Sequence, residues 1–185
     1  MFVFELDNID TSRLLIRKMK LSDANDYFEW RSNPDYHTFL PSNAKNDLEY
    51  YKQIVHDCVD SYNSDNPSLF YVIELKSEHK VIGCVSIENI NEKYKNLTIG
   101  WGLNLNFQGN GYAYEAVSTF IDYIFNNYDI HRIQISIWAG NEKSINLAKK
   151  LGFIYEGTGR ESRYKNGKFI DNLNFGLLKH EWKNN

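Results

Sequence analysis

Two spacings of apolar residues alternate along this chain, and their order restricts the fold. Leu97, Ile99, Trp101, Leu103 and Leu105 fall at every second position without a break and predict a strand over 97–105. Leu69, Tyr71, Ile73 and Leu75 predict a strand over 68–75. The charged turn KSEHK follows, and residues 81–88 (VIGCVSIE) predict its neighbour, with polar Asn91–Asn96 as a hairpin connection. Residues 13–18 (RLLIRK) read as a first strand, and Ile133, Ile135 and Ile137 place another on one face. Helical spacing appears between these strands. Ala113, Ala116, Val117, Phe120, Ile121 and Ile124 make one apolar stripe. Ser22 offers an N-cap for a helix over 23–32 that Pro34 helps to stop, and Asn46 with Glu49 resembles a capping box opening a helix over 46–60. Asn141 caps a short helix carrying Ile145, Ala148 and Leu151, ended by Gly152. Two strands then flank the turn dipeptide Asn166-Gly167, with Phe169, Leu173, Phe175 and Leu177 as inward rows. Seven strands and four helices in this order predict an α/β or α+β fold with one mixed sheet covered by helices.

Composition narrows the class. A chain of 185 residues without repeats or Pro-rich linkers reads as one domain over 1–185, long enough to bury a core without disulfides or metal. A net charge of -3 carries no basic footprint for nucleic acid. Cys58 and Cys84 form no CxxC, and the five histidines form no metal-ligand pair, so no metal is expected. No apolar run approaches the roughly 20 residues of a membrane helix, and the start MFVFELDNID lacks the pattern of a signal peptide. A cytoplasmic, bacterial-type protein with reduced thiols is the expectation.

The main chemical signal is Phe107-Gln108-Gly109-Asn110-Gly111-Tyr112-Ala113, which joins the alternating strand to the apolar-striped helix. Its glycines allow positive φ and close backbone approach, and a helix start adds free N–H groups, so the segment suits a phosphate or pyrophosphate. A plain tight turn explains the same glycines. None of the Gly-x-Gly pairs extends to a dinucleotide fingerprint, and there is no Gly-Lys-Ser/Thr. The second signal is Asn141-Glu-Lys-Ser144 at the next helix start. Its plainer reading is an Asn cap with Ser144 in solvent.

Taken together, Gln108-x-x-Gly111-x-Ala113 and Asn141-x-x-Ser144 running into Leu151-Gly152-Phe153 resemble the acetyl-CoA motifs of the GNAT superfamily of N-acetyltransferases. Further matching pieces are Arg13-Leu14-Leu15-Ile16-Arg17, Ile82-Gly83, Ile99-Gly100-Trp101, His131-Arg132-Ile133, Glu156-Gly157, and Asp171 ahead of Phe175-x-Leu177-Leu178 and Glu181-Trp182. They cover about residues 12–182 and point to the ribosomal-protein-alanine acetyltransferase branch. The resemblance implies a mostly antiparallel sheet of about seven strands, splayed at its middle. It implies that amides from Gly109 through Asn110, Gly111, Tyr112, Ala113 and Tyr114 hold the CoA pyrophosphate. Trp101, Gly102 and Leu103 would pair with the pantetheine arm and lend an amide to the oxyanion, Asn141 would bond the pantetheine or acetyl region, and Lys149 and Lys150 could approach the phosphates. Acetyl would pass directly to a primary amine, either a protein N-terminus or a small amine, in a ternary complex.

Two departures from that pattern follow. Ala148 stands where many members carry an acidic Tyr, leaving Ser144 as the catalytic donor to the departing thiolate. Thr98 stands where many carry a carboxylate, so a base would be Glu88, Asp171 or a water chain. Trp30, Tyr36, His37 and Phe39 are candidates to line the acceptor site. The aromatic-rich C-terminal strands would suit a homodimer. Two other readings remain open: a non-catalytic acyl-CoA-binding sensor, and a flavodoxin-like phosphate binder, which requires a purely parallel sheet.

Overall fold

Eight strands form one sheet in the computed structural model, which describes residues 6–64 and 67–182. They are β1 (Ile9–Asp10), β2 (Leu14–Lys18), β3 (Phe70–Leu75), β4 (Lys80–Asn91), β5 (Asn96–Leu103), β6 (Arg132–Trp138), β7 (Ile154–Lys165) and β8 (Lys168–Leu178). Their spatial order is β1-β2-β3-β4-β5-β6-β8-β7. Every neighbouring pair is antiparallel except β5 and β6. The sheet is therefore mixed and mostly antiparallel, and the flavodoxin-like reading falls. The eighth strand is β1, whose two residues carry no readable period.

Helices α1 (Ala24–Arg31), α2 (Leu48–Ser61), α3 (Tyr112–Asn127) and α4 (Glu142–Lys150) cover the two faces, and α5 (Lys179–Trp182) follows β8. The predicted stripe of α3 is its buried face: Ala116, Val117, Phe120, Ile121 and Ile124 pack with Ile16, Ile73, Ile99 and Ile133. Ile145 and Ala148 of α4 join the same core. On the opposite face Tyr27 and Trp30 of α1 and Tyr51 and Val55 of α2 pack over Val72, Val81 and Cys84.

Four local expectations change. Asp47, not Asn46, caps α2: its Oδ1 accepts from the amides of Glu49 and Tyr50, while the Glu49 carboxylate pairs with Lys52. Ser22 caps nothing; it lies inside a single 3-10 turn (Leu21–Asp23) that leads into α1. The alternation through Leu105 does not extend β5. Asn104 ends the strand, because its buried side chain accepts from the amide of Asn106 and opens a 3-10 turn. Phe169 is not inward but 65% exposed, since the β7–β8 hairpin runs past the core and the Phe169 ring pairs there with Tyr164.

Among the described residues, one ionic cluster in the interior ties α1 to the sheet. Arg17 of β2 donates to both carboxylate oxygens of Asp23, at 2.7 and 2.8 Å, and through Nε to Glu74 of β3 at 2.7 Å. Arg17 and Asp23 are each 5% exposed. Burial disfavours the Arg17 charge, but its two carboxylates outweigh it and hold the guanidinium more firmly protonated than usual. Because a buried charge stripped of its partner is costly, Asp23→Ala should destabilise the fold by about 3 kcal/mol in urea unfolding. Replacing the whole cluster, Arg17→Met with Asp23→Leu and Glu74→Gln, should restore much of that loss.

Candidate active site

β5 and β6 pair over three positions only: Asn96 with Arg132, Leu97 with Ile133 and Thr98 with Gln134. Past Thr98 the two strands part, β5 continuing to Leu103 beside β4 and β6 to Trp138 beside β8. The edge of β5 that faces β6 thus carries unpaired backbone groups from Ile99 to Leu103. Such an edge is a template for an extended, amide-bearing ligand. Trp101 stands beside this gap and packs against Phe153 with ring centroids 6.5 Å apart.

At the end of β5 lies the glycine-bearing loop. Gly109 (φ +85°) and Gly111 (φ +80°) take left-handed conformations that side chains disfavour. The first backbone bond of α3 runs from the amide of Glu115 to the carbonyl of Gly111, at 3.0 Å. Among the described residues, amides 109–114 donate to no backbone carbonyl. They form a run of free donors at the positive end of a sixteen-residue helix, which fits an anionic pyrophosphate. Arg13 braces the loop from beneath. Its Nη1 donates to the Asn110 carbonyl at 2.9 Å, its Nε to Glu115 at 2.6 Å, and its guanidinium lies 4.5 Å from the Tyr112 ring centroid. Glu115 also accepts from Thr11 at 2.6 Å and from the Arg13 amide at 3.0 Å. Burial works against ionisation of Glu115, but the hydrogen bonds from Thr11 and Arg13 prevail and hold its carboxyl below the usual range.

Helix α4 makes the second rim. The Lys143 ammonium donates to the Gln108 side-chain oxygen at 2.6 Å, and Lys150 stacks 4.4 Å from the Tyr114 ring centroid. The two sequence motifs therefore meet across the cleft. Asn141 is the helix cap: its Oδ1 accepts from the Ser144 amide at 3.3 Å, and its Nδ2 has no protein partner among the described residues. The hydroxyl of half-buried Ser144 meets no protein partner among the described residues.

The opposite face of the sheet is polar at the gap. Register places Ser86, Glu88, Thr98, Gly100 and Gly102 on it from one side, and Gln134, Ser136 and Asn174 from the other. Glu88 lies directly across from Thr98, accepts from the Ser86 hydroxyl at 3.2 Å, and reaches to 3.1 Å from where a Cβ on Gly100 would be. Asp171 is engaged elsewhere. Its Oδ1 accepts from the Glu161 amide at 2.7 Å, pinning a left-handed turn in β7.

Tyr36, on the 3-10 turn Pro34–His37, extends over Gly102, where any side chain would collide with its hydroxyl. Its ring packs edge-on against Trp30. The loop bearing it is pinned at three points. His37 Nε2 donates to the Arg31 carbonyl at 2.7 Å, leaving Nδ1 to meet the Ser42 hydroxyl at 2.9 Å. The Lys165 ammonium, at the tip of the β7–β8 hairpin, donates to the carbonyls of His37, Leu40 and Ser42. Phe39 covers Gly140. The Arg13 brace, the Lys143–Gln108 bond and the Lys165 latch join positions 35 to 128 residues apart, and no local pattern announces them.

Residues 13–154 match the family described as an acetyltransferase (GNAT) domain. The uncharacterized N-acetyltransferase p20 of Bacillus licheniformis is 30% identical over 177 residues, which is 96% of this chain and 99% of that protein. A crystal structure of the ribosomal-protein-S5-alanine acetyltransferase from Vibrio fischeri superposes with a TM-score of 0.80 at 28% identity, over 95% of this chain and 98% of the other. The spermidine N-acetyltransferase of Vibrio cholerae, solved with CoA and spermine, shares the fold with a TM-score of 0.79 at 20% identity, over 94% of this chain and 99% of the other.

Two outcomes test this geometry. The ionised Glu115 stabilises the folded state above the ordinary glutamate pKa, about 4.3, and that contribution is lost as pH falls through its lower folded value. Glu115→Gln should therefore lower the melting temperature most at neutral pH, with the difference closing below about pH 4. Gly102→Ala should cost about 1–3 kcal/mol by overpacking against the Tyr36 hydroxyl. In a Tyr36→Phe background the same change should cost about 1 kcal/mol less, a coupling that a double-mutant cycle reads directly.

Proposed function

This chain belongs to the GNAT acetyltransferase family and is an N-acetyltransferase, and on that premise we propose that it moves acetyl from acetyl-CoA directly to a peptide N-terminal amine held in the same cleft. The parting of β5 and β6 beside the free amides of residues 109–114 carries the reading, because it offers an extended edge and an anion cradle in one continuous path. Trp101, Gly102 and Leu103 would hold the pantetheine arm. Gly109, Asn110, Gly111, Tyr112, Ala113 and Tyr114 would hold the pyrophosphate, with Gln108 fixing the loop through Lys143. The Asn141 Nδ2 would bond the acyl end. Acetyl-CoA supplies an activated thioester, and the protein supplies alignment, which removes much of the entropic barrier.

The acceptor would enter from the α1–α2 face of the sheet. The amine nitrogen forms the bond to the acetyl carbon as the carbon–sulfur bond breaks, its proton passes to Glu88 through water, and the departing sulfur takes a proton relayed from solvent through the Ser144 hydroxyl. Glu88 thereby supplies, from the neighbouring strand, the carboxylate that Thr98 lacks. Charge favours a peptide over a polyamine. Among the described residues placed on the polar face at the gap, Glu88 is the one carboxylate, and its partner there is the neutral Ser86 hydroxyl. A polyamine needs several acids to meet its several charges. An α-amino group, with a pKa of about 7.7–8.0, is already partly neutral at physiological pH.

Thiol release from acetyl-CoA, measured against Ala-, Ser- and Met-initiated peptides and spermidine, tests this. Turnover should favour a peptide. Ser144→Ala should lower kcat about tenfold or more, and Glu88→Gln should lower kcat/KM at neutral pH by about 10²-fold. Preference for spermidine would replace the acceptor assignment. Unchanged kinetics in both variants would remove the assigned acid and base.

A further inference from the structure

We propose that the Tyr36 hydroxyl, with the Arg31 guanidinium beside it, is a hydrogen-bond donor to the acetyl carbonyl oxygen at the end of the β5 edge. The inference rests on the reading of that edge as the acetyl-CoA strand.

Position is the first argument. Gly102 lies within the Trp101–Leu103 segment, and the space its side chain would occupy holds the Tyr36 hydroxyl. That oxygen therefore sits against the backbone at the gap, on the sheet face that also carries Glu88 and Ser86. Rigidity is the second. The turn bearing Tyr36 is fixed by the His37 bonds to Arg31 and Ser42 and by the three carbonyls around Lys165. A donor held in place before reaction stabilises developing charge without reorganising.

Charge is the third argument. Arg31 is surrounded by ring centroids, at 5.1 Å from Tyr36, 5.5 Å from Tyr27 and 5.8 Å from Trp30. Its Nε is buried without an acceptor, and among the described residues it forms no ion pair. The other interior guanidinium, that of Arg17, holds two carboxylates. A cation left unneutralised beside a donor hydroxyl is placed to meet negative charge that appears only during reaction. Burial raises the Tyr36 hydroxyl well above the usual tyrosine range, so it stays a donor throughout the working pH. No proton leaves Tyr36 in this role.

Tyr36→Phe keeps the ring packed on Trp30 and removes only the oxygen. Three readings of the purified variant decide the matter: its melting temperature, calorimetric Kd values for CoA and acetyl-CoA separately, and kcat with the amine turned over fastest by the wild type. The expected result is kcat lower by about 10²-fold with the CoA Kd unchanged. The affinity for acetyl-CoA relative to CoA should fall about threefold or more, which corresponds to loss of one hydrogen bond to the acetyl group. An unchanged kcat, or equal weakening of both ligands, would overturn the inference and leave Tyr36 as packing. If wild-type protein bound neither ligand, the acetyl-CoA reading of the cleft would itself fail and take this inference with it.

Discussion

The functional architecture depends on one pairing that is not made. β5 and β6 begin as parallel neighbours and separate after Thr98, so half of β5 presents its backbone to a gap. Backbone N–H and C=O groups need partners when they leave water. A strand with one satisfied edge and one open edge can therefore accept an extended ligand. The separation is sustained from both sides. β4 holds one edge of β5 as far as Leu103, and β8 holds β6 as far as Trp138. Trp101 and Phe153 fill space beside the gap.

Because the sheet is open at that place, its two faces acquire different work. On the α3 side lies the free-amide run at a helix start, braced by Arg13 and Glu115. On the α1–α2 side lie a carboxylate, hydroxyls and neutral amides, bordered by Tyr36 and Arg31. The free-amide run and the polar face thus lie on opposite sides of the sheet, connected through the gap. In the proposed reaction an anionic donor and an amine would meet without sharing a pocket, so the charge suited to one would not repel the other.

The polar interior follows a consistent division. Arg17, Asp23 and Glu74 are fully paired and anchor α1. Arg31, eight residues beyond Asp23 at the other end of α1, has rings around it in place of carboxylates. Buried ionic groups that serve only the fold are paired, since an unpaired charge is costly. The exception is Arg31, ringed by Tyr27, Trp30 and Tyr36.

The sequence by itself determined the periods, and the periods determined the elements. The stripe Ala116–Ile124 became the buried face of α3, the alternation from Leu97 became β5, and the glycines at 109 and 111 adopted the positive φ that only glycine takes readily. The motifs at 108–113 and 141–144 were legible for the same reason: each is a local backbone requirement written in adjacent residues. Tertiary structure decided what no window contains. It turned Phe169 outward because the hairpin outruns the core, replaced the Asn46 cap with Asp47, and set Glu88 across from Thr98. It also placed Tyr36 over Gly102, 66 positions later in the chain. Periodicity reports which face of an element is apolar. Register, side-chain reach and the parting of two strands arise only when separate elements share space, so they appear only in the folded molecule.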